Sequence, residues 1–320
     1  MRVYVTGATG FVGSNIARVF AEQHDATLCT PVHRHRPERG FERSPAVDLT
    51  DAAAVRDSVV AFAPDAIVHC AILNDFAALY ADRRAAWDAF VGATRNVVDA
   101  ANLVGARVVL VSSDWVFDGT QGGADERTPP NPINLYGVLK LAGELVVLER
   151  AHHGAVARIS GVNGVHWARP AMPRQQDAGF GYFVSAVVRT LRAGVPFTVW
   201  ESPTINMVAT PSLASDSAER IWRIVEWELD GVFHCCGAEH VTRHELAVAA
   251  AEAFDLDASL IRRGPPDPAG LPGAPVPYDT SLTATATATA LGLQPLRVAE
   301  QLRRLRAELD GGRLGESATR

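Results

Sequence analysis

One lysine, Lys140, stands among the 30 basic residues of this 320-residue chain; the others are all arginine. It follows Tyr136 by four positions, in "LYGVLK". On a helix that spacing puts both side chains on one face. An ammonium beside a phenol favours the phenolate and draws its pKa toward working pH. Tyr136 then becomes a usable general acid or base. Arginine substitutes poorly there, because its delocalised fork is neither compact nor tunable. Upstream, "VVLVSSDWVFDG" runs a strand-like segment into Ser112, Ser113 and Asp114. Ser113 lies 23 residues before Tyr136, and its hydroxyl can hold a carbonyl oxygen beside the phenol. Together the three side chains describe proton transfer at a carbonyl or alcohol oxygen.

A second constellation, "VTGATGFVGS", places Gly7, Gly10 and Gly13 after the first strand-like run, with Phe11 and Val12 at the start of a helical pattern. Glycines there allow a tight turn and let backbone approach a pyrophosphate at the helix amino end. The expectation is a dinucleotide site. The next strand, "CTPVHRHRPERG", has no acid until Glu38 but carries Arg34 and Arg36. Arginines at that point suit a 2′-phosphate, so NADP(H) is preferred and NAD(H) remains open. Asp48, in "VDLTD", is a candidate for the adenine amino group or a cap for the following helix. Leu49, Cys70 and Ala71 complete the expected cofactor lining.

The elements that must position these groups are legible from periodicity. Strand-like runs "RVYVTG", "TLCTPV", "AIVHCA", "RVVLVSS" and "GAVARIS" alternate with helical patterns such as "GSNIARVFAEQH" and "TDAAAVRDSVVAFA". This alternation predicts an α/β fold: a Rossmann-type doubly wound parallel sheet over residues 1–160, with about 205–237 returning to it. Residues 161–204 and 238–310 are expected to form a smaller, mixed α/β substrate-binding region, and 311–320 a disordered tail. Within it, Thr242 and Glu245 in "TRHELAVAAAEAF" make a capping box, and residues 264–277 read as a loop. The repeat "TATATATA" (283–290) fits a strand by alternation and a partly helical surface segment equally, and no function is assigned to it.

Net charge is −6, which points away from a general nucleic-acid surface. No apolar run is long enough to cross a bilayer, and "MRVYVTGATG" does not read as a signal peptide. A cytoplasmic protein without a membrane partner is expected. Cys29, Cys70, Cys235 and Cys236 form no CxxC pair and read as free thiols, mostly buried. His240 and His244 have zinc-like spacing but no third ligand, so no metal is expected. His152 and His153 read as solvent-facing, and Trp222 and Trp227 as packed helix residues.

The motifs "TGxxGxxG", Ser113 and "YxxxK" resemble the extended short-chain dehydrogenase/reductase superfamily. Within it, "SSDWVFDG…ERTPPNPINLYGVLKLAGE" resembles dTDP-4-dehydrorhamnose reductases and the related regulatory beta subunit of methionine adenosyltransferase. The likeness continues to "LGLQPLRVAEQL" and so covers almost the whole chain. It implies a Ser113–Tyr136–Lys140 triad, with Lys140 also holding the nicotinamide ribose, and hydride transfer to the C4 ketone of a nucleotide-linked 6-deoxyhexose. Asp114 and Trp115 would adjoin the substrate, as would His166 and Trp167 in the 164–183 loop. Epimerisation, a non-sugar ketone, or a non-catalytic regulatory role are the alternatives it leaves open; a homodimer is compatible with it. Two features depart from the pattern: Phe90, in "FVGATRN", replaces the usual first asparagine of N-V-x-G-T-x-N, and "ESPTINMVATPSLASD" is longer than expected before the next helix.

Overall fold

The computed structural model describes residues 1–33, 44–73, 75–169 and 175–311. Arg34 and Arg36 lie outside the described residues. The amino-terminal strands are β1 (Arg2–Thr6), β2 (Thr27–Cys29), β3 (Ala66–His69), β4 (Arg107–Ser113) and β5 (Gly154–Ile159). Then come β6 (Val162–Asn163), β7 (Phe197–Trp200), β8 (Val208–Ala209), β9 (Ser212–Leu213) and β10 (Gly231–His234). Three more strands follow: β11 (Val241–Thr242), β12 (Ile261–Gly264) and β13 (Asp279–Thr280).

The helices of the first half are α1 (Phe11–His24), α2 (Ala52–Phe62), α3 (Phe76–Ala81), α4 (Arg83–Trp87), α5 (Ala93–Val104) and α6 (Leu135–Arg150). Those of the second half are α7 (Phe183–Arg192), α8 (Ala214–Glu226), α9 (Arg243–Ala253), α10 (Thr285–Leu291) and α11 (Val298–Leu309). A π-helical turn, Asp88–Gly92, joins α4 to α5.

Six strands form a parallel sheet in the order β10-β5-β4-β3-β1-β2. The order reverses at β1, which places a crevice beyond the carboxyl ends of β1, β3 and β4. All seven residues of β4 are buried, as a strand covered on both faces requires. The pleat divides β1: Val3 and Val5 join Ile16, Phe20, Ile221 and Ile224 on the α1/α8 face. Tyr4 joins Ile67, Val97, Val108 and Val147 on the opposite face, beneath α2, α5 and α6. A second core gathers Phe183, Val187, Leu246, Ala250, Leu302 and Leu305 from α7, α9 and α11.

Several local expectations need correction. "TATATATA" is not a strand: from Thr285 it forms α10, which leaves Thr285, Ala286, Thr289 and Ala290 exposed and buries Thr287 and Ala288, with Leu291, on the side toward β10. Trp222 packs edge-on against Phe20, but Trp227 follows the end of α8 and stays 45% exposed beneath Arg223. Asp48 does not cap α2; Asp51 does, accepting from the amides of Ala53 and Ala54. The long "ESPTINMVATPSLASD" stretch accommodates β8 and β9. Cys29, Cys235 and Cys236 are buried, Cys70 is half-buried, and no disulfide joins them.

Candidate active site

The glycine turn is shaped by what its side chains omit. A Cβ on Gly13 would run into the Gly7 carbonyl oxygen, so α1 can begin against the turn only with glycine there. Gly10 is the N-cap of α1 and contributes no side chain, leaving the first amides of the helix without a side-chain cap. Thr6 ties this turn to the end of β3: its Oγ1 accepts from the amides of Cys70 (3.1 Å) and Ala71 (3.3 Å) and bonds His69 Nδ1 at 2.7 Å. Gly7, Gly10, Phe11, Val12, Gly13, Cys70 and Ala71 thus come together. Burial, aided by Lys140, holds the His69 imidazole down to about 3, so it is neutral at physiological pH. Asp48 stands farther along, accepting from the Thr50 amide and hydroxyl, while the Leu49 carbonyl accepts from Asn96 Nδ2.

Ser113 ends β4, and Asn134 starts α6 by accepting the Gly137 amide on its Oδ1 at 2.9 Å. Gly137 is required by close approach: a Cβ there would strike the Trp115 carbonyl oxygen. That contact lets the first turn of α6 lie on the Ser113–Trp115 segment, which brings Tyr136 to Ser113. Lys140, one turn on, is buried and donates from Nζ to the Val111 carbonyl of β4 at 2.9 Å. Its Nζ is 5.9 Å from the centre of the Tyr136 ring.

The electrostatics differ from the expectation. Burial pushes the Tyr136 phenol above its ordinary value, with Ser113 pulling it back and Asp114 adding to the rise. The ammonium does not reverse this. It is spent on Val111, and burial lowers its own pKa to about 8, although Cys70 and Glu144 act to raise it. At neutral pH Tyr136 is therefore a phenol, the form an acid needs.

Around Tyr136 stands an aromatic wall. Phe76 lies 5.7 Å away, and Phe90 (6.0 Å) and Trp115 (5.9 Å) meet it edge-on. Phe90, the departure from the family pattern, is thus part of the enclosure, and the π-helical turn that presents it is closed by Thr94 Oγ1 donating to the Phe90 carbonyl. Trp115 also packs beside Ala178, Ile205 and Val276.

Asp114 does not project into open space. It is buried, and its oxygens accept from Ser113 Oγ (2.9 Å) and Ser160 Oγ (2.8 Å), so it ties the end of β4 to the end of β5. Burial raises its pKa, against the opposing effect of Thr280, Ser160 and Ser113. His166 and Trp167 pack on the glycine-loop helix rather than beside Tyr136. Trp167 Nε1 donates to Asn15, the Arg18 guanidinium lies 3.4 Å over its ring, and His166 is 5.9 Å from Phe11.

Other residues escaped the sequence reading. Glu144 forms a buried bidentate pair with Arg158 (2.7 and 3.0 Å) and accepts from Ser112 Oγ at 2.5 Å. Arg243 is fully buried and donates to the carbonyls of Asn206, Asp177 and Gly179, pinning the segment behind Trp115. Glu144 falls one turn after Lys140, which was the available signal; nothing local marks Arg243 or Phe76. Among the described residues, no three potential metal ligands cluster and no helix is long and apolar enough to cross a membrane.

A doubly wound parallel sheet, with a glycine turn after its first strand and serine, tyrosine and lysine gathered at its fourth, defines a Rossmann-like fold of the reductase and epimerase type. The profile of the RmlD substrate binding domain matches residues 1–310, and the chain belongs to that family. It is 33% identical to methionine adenosyltransferase 2 subunit beta of Mus musculus over 261 residues, covering 82% of this chain and 74% of the relative. A solved structure described as a hypothetical dTDP-4-dehydrorhamnose reductase from Sulfolobus tokodaii superposes with TM-score 0.75 at 26% identity, covering 93% of this chain and 98% of the other. The dTDP-4-dehydrorhamnose reductase of Bacillus anthracis, solved with NADP, shares the fold with TM-score 0.78 at 23% identity, covering 96% and 98%.

Proposed function

We propose that this chain is an NADPH-preferring reductase of a nucleotide-linked 4-keto-6-deoxyhexose. The observation that carries the reading is the meeting of Ser113, Tyr136 and Lys140 at the end of β4, beside a glycine turn whose helix start has no side-chain cap. The turn fits a dinucleotide: its glycines let the backbone close tightly so that α1 begins against the end of β1, and the uncapped amides of α1 suit the charge of a pyrophosphate. Bound there, the nicotinamide cofactor supplies the hydride that reduces the ketone carbon. Tyr136, protonated at neutral pH, delivers a proton to the ketone oxygen. Ser113 orients that oxygen, and Lys140, its ammonium 5.9 Å from the Tyr136 ring, holds positive charge beneath the site and would hold the ribose hydroxyls. The preference for NADPH rests on Arg34 and Arg36 in the sequence, and the Bacillus relative solved with NADP supports it.

The test is NADPH consumption with dTDP-4-keto-6-deoxyglucose and its C3/C5-epimerised form, with NADH alongside. Tyr136→Phe should lower kcat by roughly 10²–10⁴-fold while NADPH still binds. Equal turnover by the variant sinks the assignment.

A second reading is supported by the 33% identity to a regulatory subunit: the chain is a nucleotide-binding partner of a separate catalytic protein. Binding of NADPH without turnover of any keto sugar, together with a co-eluting enzyme whose activity it alters, would favour it.

A further inference from the structure

Tyr182 holds a left-handed backbone, φ 58° and ψ 9°, which side-chain-bearing residues adopt at a cost. Four other non-glycine residues do so among the described ones: Asp25, Ala63, Glu228 and Asp255. Each of those follows closely on the end of a helix, where the left-handed turn is the ordinary way to stop. Tyr182 instead precedes α7, and its side chain does not cap that helix. Tyr182 is also the third residue of a turn in which the Phe183 amide donates to the Phe180 carbonyl (3.3 Å), a position that asparagine or glycine would take more readily than tyrosine.

What it meets is the glycine loop. The Tyr182 ring lies 4.6 Å from the ring of Phe11, tilted by 42°, and the His166 ring lies 5.9 Å from Phe11. Phe11 is the first residue of α1, so its amide is among those that face an anion. The residues after Tyr182, including Phe183, Val184 and Val187, are buried in the second core. The strained residue is thus a point where that core grips the first turn of α1.

We propose that Tyr182 is a positioning residue for the dinucleotide: its left-handed backbone sets the ring on Phe11 and fixes the amides that hold the pyrophosphate. This rests on the cofactor reading above. By linkage, a bound dinucleotide also steadies the start of α7, so the cofactor and the second core are coupled.

The experiment compares wild type, Tyr182→Gly and Tyr182→Phe by NADPH titration, with amide exchange of residues 7–13 measured in the unliganded proteins. Tyr182→Gly should raise the NADPH Kd about tenfold with no loss of Tm, because glycine enters the left-handed region freely. Its amides at 7–13 should exchange faster than in wild type. Tyr182→Phe should stay within about twofold of wild type, since the ring pair survives. An unchanged Kd and unchanged exchange in Tyr182→Gly overturn the proposal, and so does an equal loss in Tyr182→Phe. Should Tyr182→Gly fold poorly, Tyr182→Asn, which tolerates the same backbone, decides by the same two readouts. If wild type binds neither NADPH nor NADH, the cofactor reading fails separately, and exchange at 7–13 alone judges the role of Tyr182.

Discussion

Lys140 and Arg158 are both buried cations against β4, yet the protein treats them oppositely. Arg158, on β5, receives a carboxylate in full: Glu144 takes two of its nitrogens, and Ser112 donates to the same carboxylate. Lys140, one turn before Glu144 on α6, donates to the neutral Val111 carbonyl and makes no ion pair among the described residues, and burial lowers its pKa to about 8. Two positions a single helical turn apart thus divide the labour. At Glu144 charge is neutralised and the sheet is tied to the helix. At Lys140 an incompletely compensated ammonium is kept where chemistry needs it, at the expense of stability.

The largest effect belongs to the paired site. Glu144→Gln leaves Arg158 buried without its countercharge, and removing one member of such a pair costs about 3–5 kcal/mol. Urea unfolding should report that loss, whereas a loss below about 1 kcal/mol would show that the pair is not what joins α6 to β5. Replacing both partners, Glu144→Leu with Arg158→Met, should recover most of the stability, because it removes the charges together.

Lys140 should respond in the other direction. Lys140→Met is expected to abolish turnover and yet raise stability at pH 7 by about 1–3 kcal/mol, since each unit of pKa depression corresponds to about 1.4 kcal/mol and the Val111 carbonyl loses its donor. An ammonium with a folded pKa of about 8, below its unfolded value near 10.4, destabilises fully below pH 8. That cost fades as pH climbs toward 10.4, where the unfolded chain loses its proton too. Tyr136 and Cys70, both raised by burial, titrate with the opposite sign in the same window. The informative quantity is therefore the Tm difference between variant and wild type, which should shrink between pH 7.5 and 10.5. A difference that does not depend on pH would mean that Lys140 carries no buried charge.

The same contrast explains what could be read from the letters. The glycine turn and the Tyr136–Lys140 pair were legible because their geometry is local: a tight turn, and one turn of helix. The parallel sheet was legible because strand-like runs alternate with helical patterns along the first half of the chain. The pKa of Tyr136 was misjudged for a physical reason. Spacing fixes which residue is near, but not how much solvent the fold removes, and here desolvation outweighs the neighbouring ammonium. Phe76 and Arg243 carry no local signal, since their partners arrive only when α3 meets α6 and when α9 meets the 177–179 segment. The same holds for Asp114, whose acidic position was visible but whose partner Ser160 sits 46 residues away.

The smallest predicted effect lies where sequence reasoning was weakest, in the threonine–alanine repeat. Two residues of that repeat meet the network: the Thr283 carbonyl bonds His234 Nδ1 at 3.0 Å, and Thr287 joins it through its side chain. Its Oγ1 donates to Glu126 Oε1 at 2.5 Å and accepts the His234 amide at 2.8 Å, and His234 in turn approaches Arg158 at 3.5 Å. Thr289 is exposed, and its hydroxyl serves only the Thr285 carbonyl within the same helix. Valine has nearly threonine's shape, so Thr287→Val removes one buried and one partly buried hydrogen bond without opening a cavity and should cost about 1–2 kcal/mol. Thr289→Val should stay within about 0.5 kcal/mol of wild type. Thermal melts of the two variants give the answer directly. Equal effects would return the repeat to the status of filler; a loss confined to position 287 would show that an apparently featureless repeat carries one residue that the buried charge network depends on.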